Sequence, residues 1–125
     1  MVETVYTPNA PVSKFPISQA TKVGNLYFLS GQTGVDPVSG QLVGETIEQQ
    51  AEQTMRNIGA ILESEGLDFT DVARVTCYMS DMRNTPRFNA VFERYFISRP
   101  ARSCFAVQEL PRNCLCELEV IAAAK

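Results

Sequence analysis

The chain has 125 residues, 45% of them hydrophobic and 20% charged, with no histidine and no tryptophan. Its 11 basic and 14 acidic residues give a net charge of −3, which offers no basic footprint for nucleic acid, so nucleic acid is not expected as a partner. The absence of histidine excludes Ser-His-Asp and Cys-His triads, imidazole bases and every His-ligated metal site.

The length predicts one domain over residues 1–125, large enough to bury its own core. Residues 1–10 include Glu3 and no apolar run, so they do not read as a signal peptide. No apolar stretch approaches the ~20 residues of a membrane span. A cytoplasmic location without a membrane partner is therefore expected. A short strand is predicted at Glu3–Thr7, followed by Pro8, Pro11 and Pro16. Strand-like runs at Ser18–Val23 and Leu26–Ser30 flank Gly24-Asn25, a tight hairpin signal. Gly31–Gly44 reads as a glycine-rich loop. Thr46, with Gln49 three residues on, forms a capping box. Ile47, Ala51, Met55, Ile58 and Leu62 then make one apolar helical stripe that ends before Gly66. Val72–Met79 alternates as a strand. Thr85-Pro86 reads as an N-cap with proline at the first helical position. The second helix carries Phe88, Val91, Phe92, Tyr95 and Phe96 and stops before Pro100. Strands at Arg102–Gln108 and Cys114–Ala122, joined through Pro111-Arg112-Asn113, close the chain.

The order β-β-β-α-β-α-β-β predicts an α+β fold in which two helices cover one face of a sheet. The uncovered face would carry Leu26, Phe28, Tyr78, Leu115 and Ile121 among charged groups. That mixture points to burial against another subunit. Strand alternation places Arg102 and Cys104 on one side of their strand and Glu117 and Glu119 on one side of theirs. Assigning the more apolar sets to the helices puts all four on the uncovered face. Two readings of this grouping stay open. Arg102 could pair with a glutamate as structural glue, or it could be a fork for a substrate carboxylate beside a water-activating glutamate. Cys104 could be a nucleophile with a neighbouring arginine, or a packed thiol. Cys114-x-Cys116 lacks the further ligands of a metal site and reads as core. The cysteines are expected to be reduced. Ser30-Gly31-Gln32-Thr33-Gly34 reads as a structural turn or a ligand-lining loop.

Together, Pro100-Ala101-Arg102-Ser103-Cys104, Leu110-Pro111 and Cys116-Glu117-Leu118-Glu119-Val120-Ile121-Ala122 resemble the RidA/YjgF family of reactive intermediate deaminases. Asn9-Ala10-Pro11, Ser18-Gln19-Ala20, Gly24-Asn25, Leu29-Ser30-Gly31-Gln32, Gln50–Asn57 and Phe88-Asn89-Ala90-Val91-Phe92 extend the match over nearly the whole chain. The resemblance implies a chorismate-mutase-like fold and a homotrimer whose sheets form a central barrel, with ligand clefts between subunits. It implies hydrolysis of 2-enamine/2-imine acids such as 2-aminoacrylate to 2-keto acids and ammonia, with no cofactor and no metal. The alternative is a non-catalytic trimer that binds small carboxylates or regulates, or a translation-inhibitor or ribonuclease-like relative. By motif position Arg102 would hold the substrate carboxylate and Glu117 the attacking water. Ser30, Gly31 and Cys104 would contact the ligand. Ile17 stands where active members carry a tyrosine, and Phe15 where they carry a glycine. The resemblance then implies an unusually apolar cleft, tuned to another substrate or weakly active. The segment before Pro100 is also shorter than is usual in the family, which would alter one wall of the cleft.

Overall fold

The computed structural model describes residues 2–125. Strands β1 (Glu3–Val5), β2 (Ala20–Val23), β3 (Leu26–Gln32), β4 (Val72–Met79), β5 (Ala101–Ala106) and β6 (Cys116–Ala123) form one sheet in the order β1-β2-β3-β6-β4-β5. Helices α1 (Ile47–Ser64) and α2 (Thr85–Tyr95) cover one face, giving the expected element order. The β2–β3 hairpin turns through Gly24-Asn25, and Gly24 takes φ +60°, a conformation that favours glycine.

Both ends of α1 follow its sequence signals. Thr46 Oγ1 accepts the Gln49 N–H (3.1 Å) and the Gln49 side chain returns to the Thr46 N–H, closing the capping box. At the other end Leu67 N–H reaches Leu62 O, Gly66 N–H reaches Glu63 O, and Gly66 sits at φ +73°. This is a Schellman termination. The second helix starts one residue earlier than expected. Asn84 occupies the cap position and Thr85 is already helical, because a single 3₁₀ turn at Met82–Asn84 leads directly into it.

The core lies between the helices and the alternate residues of β4 and β6. Val75, Cys77 and Met79, with Cys116, Leu118, Val120 and Ala122, are fully or almost fully buried against Met55, Ile58, Phe88 and their neighbours. The helices are joined at the surface by Arg94–Glu52 (3.2 Å) and Arg87–Glu48 (3.6 Å). Leu26, Phe28, Tyr78, Glu117, Glu119 and Ile121 lie on the uncovered face, as expected, but Leu115, expected with them, precedes β6 and packs against the core, where its N–H donates to Gln50 of α1.

The faces of β5 are the reverse of the expectation. This strand is parallel to β4, with Val75 opposite Arg102 and Cys77 opposite Cys104. Paired residues point to the same side of a sheet, so Arg102 and Cys104 lie on the helix side, opposite to Glu117 and Glu119. Arg102 Nη1 donates to Asn89 Oδ1 of α2 (2.8 Å), and its guanidinium lies 4.8 Å from the centre of the Phe92 ring. Ser103 and Phe105 face outward instead. Ser103 accepts from Arg74 (2.8 Å), and Phe105 packs edge-on to Tyr78 at 5.4 Å and stays 45% exposed. The physical reason is that β5 is an edge strand, where helix cover is incomplete and burial does not sort the two faces by polarity. An ion pair of Arg102 with Glu117 or Glu119 across one face is thereby excluded within the chain. The connection from β5 to β6 passes over β4, which lies between them.

Candidate active site

Gly31 was expected at the start of a loop but lies inside β3, where the pairing with β6 shifts register between Leu29 and Gln32. A β-bulge of this kind turns side chains out of their usual alternation and opens the surface locally. The Glu117 carboxylate lies across Gly31: a Cβ on Gly31 would fall 2.1 Å from Glu117 Oε2. Glycine is required here for close approach, since its φ is not in the left-handed region. Burial, reinforced by the nearby Glu119 charge, raises the Glu117 pKa. No described residue bonds to the carboxylate to counter this shift. A half-buried carboxylate without a partner is poised to accept a proton from water.

The chain before β2 forms the opposite wall. Gln19 is buried and holds this segment through its amide. Its Oε1 accepts the Thr7 N–H (2.7 Å), and its Nε2 donates to the carbonyls of Thr7, Ala10 and Pro11 (2.9–3.1 Å). Beyond these anchors the chain turns back at Pro16, where Ile17 N–H reaches Phe15 O (2.7 Å). This i to i+2 closure suits the fixed φ of proline. Ser30 ties the wall to the sheet, donating from Oγ to Ser18 O (2.6 Å) and from its N–H to Gln19 O (2.9 Å). On the far side Asn57 of α1 donates to Thr33 O (3.0 Å) and Val35 O (2.8 Å), fixing the strand exit. Arg112, at φ +59°, donates to Gly40 O across the rim.

These elements enclose a cavity of about 540 Å³. Of the residues singled out in the sequence, Phe15, Ile17, Ser30, Gly31 and Glu117 line it. Arg102 and Cys104 do not: they sit at the β5 edge, on the other face of the sheet. The residues that sequence reasoning left without a role are Gln19, Asn57 and Arg112. Gln19 and Asn57 are buried amides, and burial of an amide requires that its side chain find hydrogen-bond partners. Nothing in the sequence distinguishes Arg112.

The cysteines are free. Burial pushes the thiol of Cys77 far up, that of Cys114 to about 11 and that of Cys116 to about 12. These three are packing groups, in keeping with the core reading of Cys114 and Cys116. Among the described residues there is no cluster of three or more His, Cys, Asp or Glu side chains that could hold a metal, and no helix long and apolar enough to cross a membrane.

The Endoribonuclease L-PSP family profile matches residues 7–124. A RutC family protein of Pyrococcus horikoshii is 43% identical over 98% of both chains. The 2-iminobutanoate/2-iminopropanoate deaminase of Mus musculus is 39% identical over 96% of this chain and 90% of its own. The crystal structure of E. coli TdcF with bound serine superposes with a TM-score of 0.92 at 29% identity, covering 98% of this chain and 99% of that one. With its sheet order and two-helix cover matching solved members of the family, the chain belongs to the L-PSP family, the RidA/YjgF group of reactive intermediate deaminases and their relatives.

Proposed function

We propose that this protein is a homotrimeric hydrolase that converts 2-imino and 2-enamino acids, such as 2-aminoacrylate, to 2-keto acids and ammonia. The observation that carries the reading is the division of the two key groups. The unpaired Glu117 carboxylate over Gly31 lies in a cavity with no Arg102, while Arg102 stands on the open sheet edge. An active cleft would unite them by joining the β5 edge of one copy to the cavity of the next. The mixed apolar and charged outer sheet face supports such an assembly. Relatives named as deaminases, and the serine bound to E. coli TdcF, support a small amino-acid-derived substrate.

In this cleft Arg102 grips the substrate carboxylate with two parallel hydrogen bonds. Asn89 and Phe92 hold its guanidinium in place beforehand. Cys104, one alternation further on the same strand face, and Ser30 contact the ligand. An enamine first takes a proton from solvent at its β-carbon to become the protonated imine. Glu117 accepts a proton from water as the oxygen attacks the imine carbon. It returns that proton to nitrogen, and the freed carboxylate takes the hydroxyl proton as the carbinolamine collapses and passes it to solvent. The C–N bond breaks, ammonia leaves and the keto acid remains. Neither metal nor cofactor has a step in this scheme.

Co-expression of two inactive variants, Arg102→Ala and Glu117→Gln, tests it. Random mixing in a ring of shared sites gives about a quarter of the clefts an intact Arg102 from one copy and an intact Glu117 from the other. Keto-acid release should recover to that level, in a species of three-chain mass by sedimentation equilibrium. No recovery in mixed trimers would place both groups in one chain's site or remove one of them from the chemistry. A monomer would overturn the shared cleft. Binding of keto acids without release from any imine would support the carboxylate-binding alternative.

A further inference from the structure

We infer that the cavity selects imino acids with a bulky apolar side chain over the three-carbon substrate. This rests on the deaminase reading above and concerns what fills the space beyond the reacting carbon. The wall facing Glu117 and Gly31 is built from Val12, Phe15 and Ile17, which remain 59%, 78% and 60% exposed although they line the cavity. Three large apolar side chains held out to solvent by a proline turn have no packing role within the chain. Clustered exposure of this kind marks a surface that receives an apolar group.

Most of the polar groups around them are already engaged. The hydroxyl of Ser30 donates to Ser18 O, and the Gln19 amide is saturated by the backbone of residues 7–11. Ser13 Oγ accepts the Phe15 N–H (3.0 Å). A polar substrate side chain would therefore meet only the serine hydroxyls of Ser13 and Ser18 on this wall, whereas an apolar one would exchange water contact for contact with Phe15 and Ile17. The Ile17 side chain offers no hydroxyl to hold a polar group at the cleft mouth. The imino acid derived from leucine has three more carbons than the one from alanine. Each buried methylene contributes roughly fourfold, so partial burial of three predicts at least about tenfold discrimination.

The experiment generates imines in place with an L-amino-acid oxidase from alanine, 2-aminobutyrate, leucine, methionine and phenylalanine. It compares kcat/KM for the wild-type protein, Phe15→Ser and Ile17→Ser. The expected result is at least about a tenfold preference for the leucine-derived over the alanine-derived imine, with the ratio collapsing toward unity in Phe15→Ser. A flat profile, or one that favours alanine, from an active enzyme overturns the inference and leaves the deaminase reading standing. If no imine is turned over, the deaminase reading fails, and calorimetry with pyruvate and 4-methyl-2-oxopentanoate decides the selectivity. Tighter binding of the larger keto acid, lost in Phe15→Ser, sustains it, and equal binding refutes it.

Discussion

Gly31→Ala isolates the position of the Glu117 carboxylate from everything else in the fold. The added Cβ would lie 2.1 Å from Oε2, 3.0 Å from Cδ and 3.3 Å from Cγ, whereas ordinary contact begins at 3.4 Å. The carboxylate must withdraw by roughly 1 Å, a displacement that typically costs about 100-fold in rate. The fold should hardly notice. Gly31 does not occupy a left-handed conformation, and the obstructing atoms are the end of a flexible side chain. An off-rotamer glutamate costs about 0.5–1.5 kcal/mol. The narrower unfolded ensemble of alanine offsets about 0.4–1 kcal/mol of that. Imine hydrolysis and thermal unfolding measured on one preparation should show kcat reduced by about 100-fold and Tm shifted by no more than about 5 °C. Gly34→Ala is the contrast. Its Cβ would meet the backbone of Gln50 at 2.7 Å and 2.8 Å, so helix α1 itself must move and Tm should fall steeply. Wild-type turnover in a stable Gly31→Ala protein would refute the assignment of Glu117 as the positioned base.

Glu117 also predicts a pH dependence. Its native pKa is raised by burial and then by Glu119, so kcat should decline on an acid limb lying above the usual carboxylate value of about 4.3, with no such limb in Glu117→Gln. The native state binds this proton more readily than the unfolded chain. The protein should therefore lose stability as pH rises from the unfolded to the native pKa, and regain it as pH falls again. Glu117→Gln should accordingly raise Tm at neutral pH while removing activity, and a lowered Tm would show that the carboxylate has a structural partner. For the thiols, a maleimide reagent should label Cys104 first, with Cys77, Cys114 and Cys116 reacting only on unfolding. Rapid native labelling of Cys116 would contradict its place in the core.

The parts of the fold that sequence made legible are those in which local chemistry and burial agree. In α1 the capping box at Thr46, the apolar stripe from Ile47 to Leu62 and the glycine at 66 all demand the same helix. The alternation of Val75, Cys77 and Met79 was readable because β4 is central and its two faces meet different surroundings. The same reasoning failed on β5. There Arg102-Ser103-Cys104-Phe105 gives no clear polarity contrast, and the orientation is set by the parallel crossover through α2. Ser30, Gly31, Ile17 and Glu117 were located by motif resemblance and do meet in one cavity. Their separation from Arg102 could not be read, because it depends on which side of the sheet an edge strand presents.

Several departures from local rules in this chain gather around that cavity, although Arg99 at φ +60° lies apart from it. Gly31 interrupts a strand, where glycine has no side chain to pack. Glu117 is half-buried without a partner, which raises its pKa and costs stability at neutral pH. Arg112 and Asn113 take φ values of +59° and +54°, conformations that cost non-glycine residues on the order of 1–3 kcal/mol and persist only where the surroundings fix them. The surroundings do fix them: Arg112 bonds to Gly40 O, and Gln50 of α1 accepts the Leu115 N–H (2.8 Å) just beyond the turn. A sequence shaped for stability alone would replace Gly31 with a β-branched residue and Glu117 with its amide or an apolar residue. Replacing Glu117 would remove the one carboxylate in the cavity that is free to take a proton from water, and a side chain at Gly31 would displace it. The instability of this corner and its chemical competence thus arise from the same two residues, and raising one should lower the other.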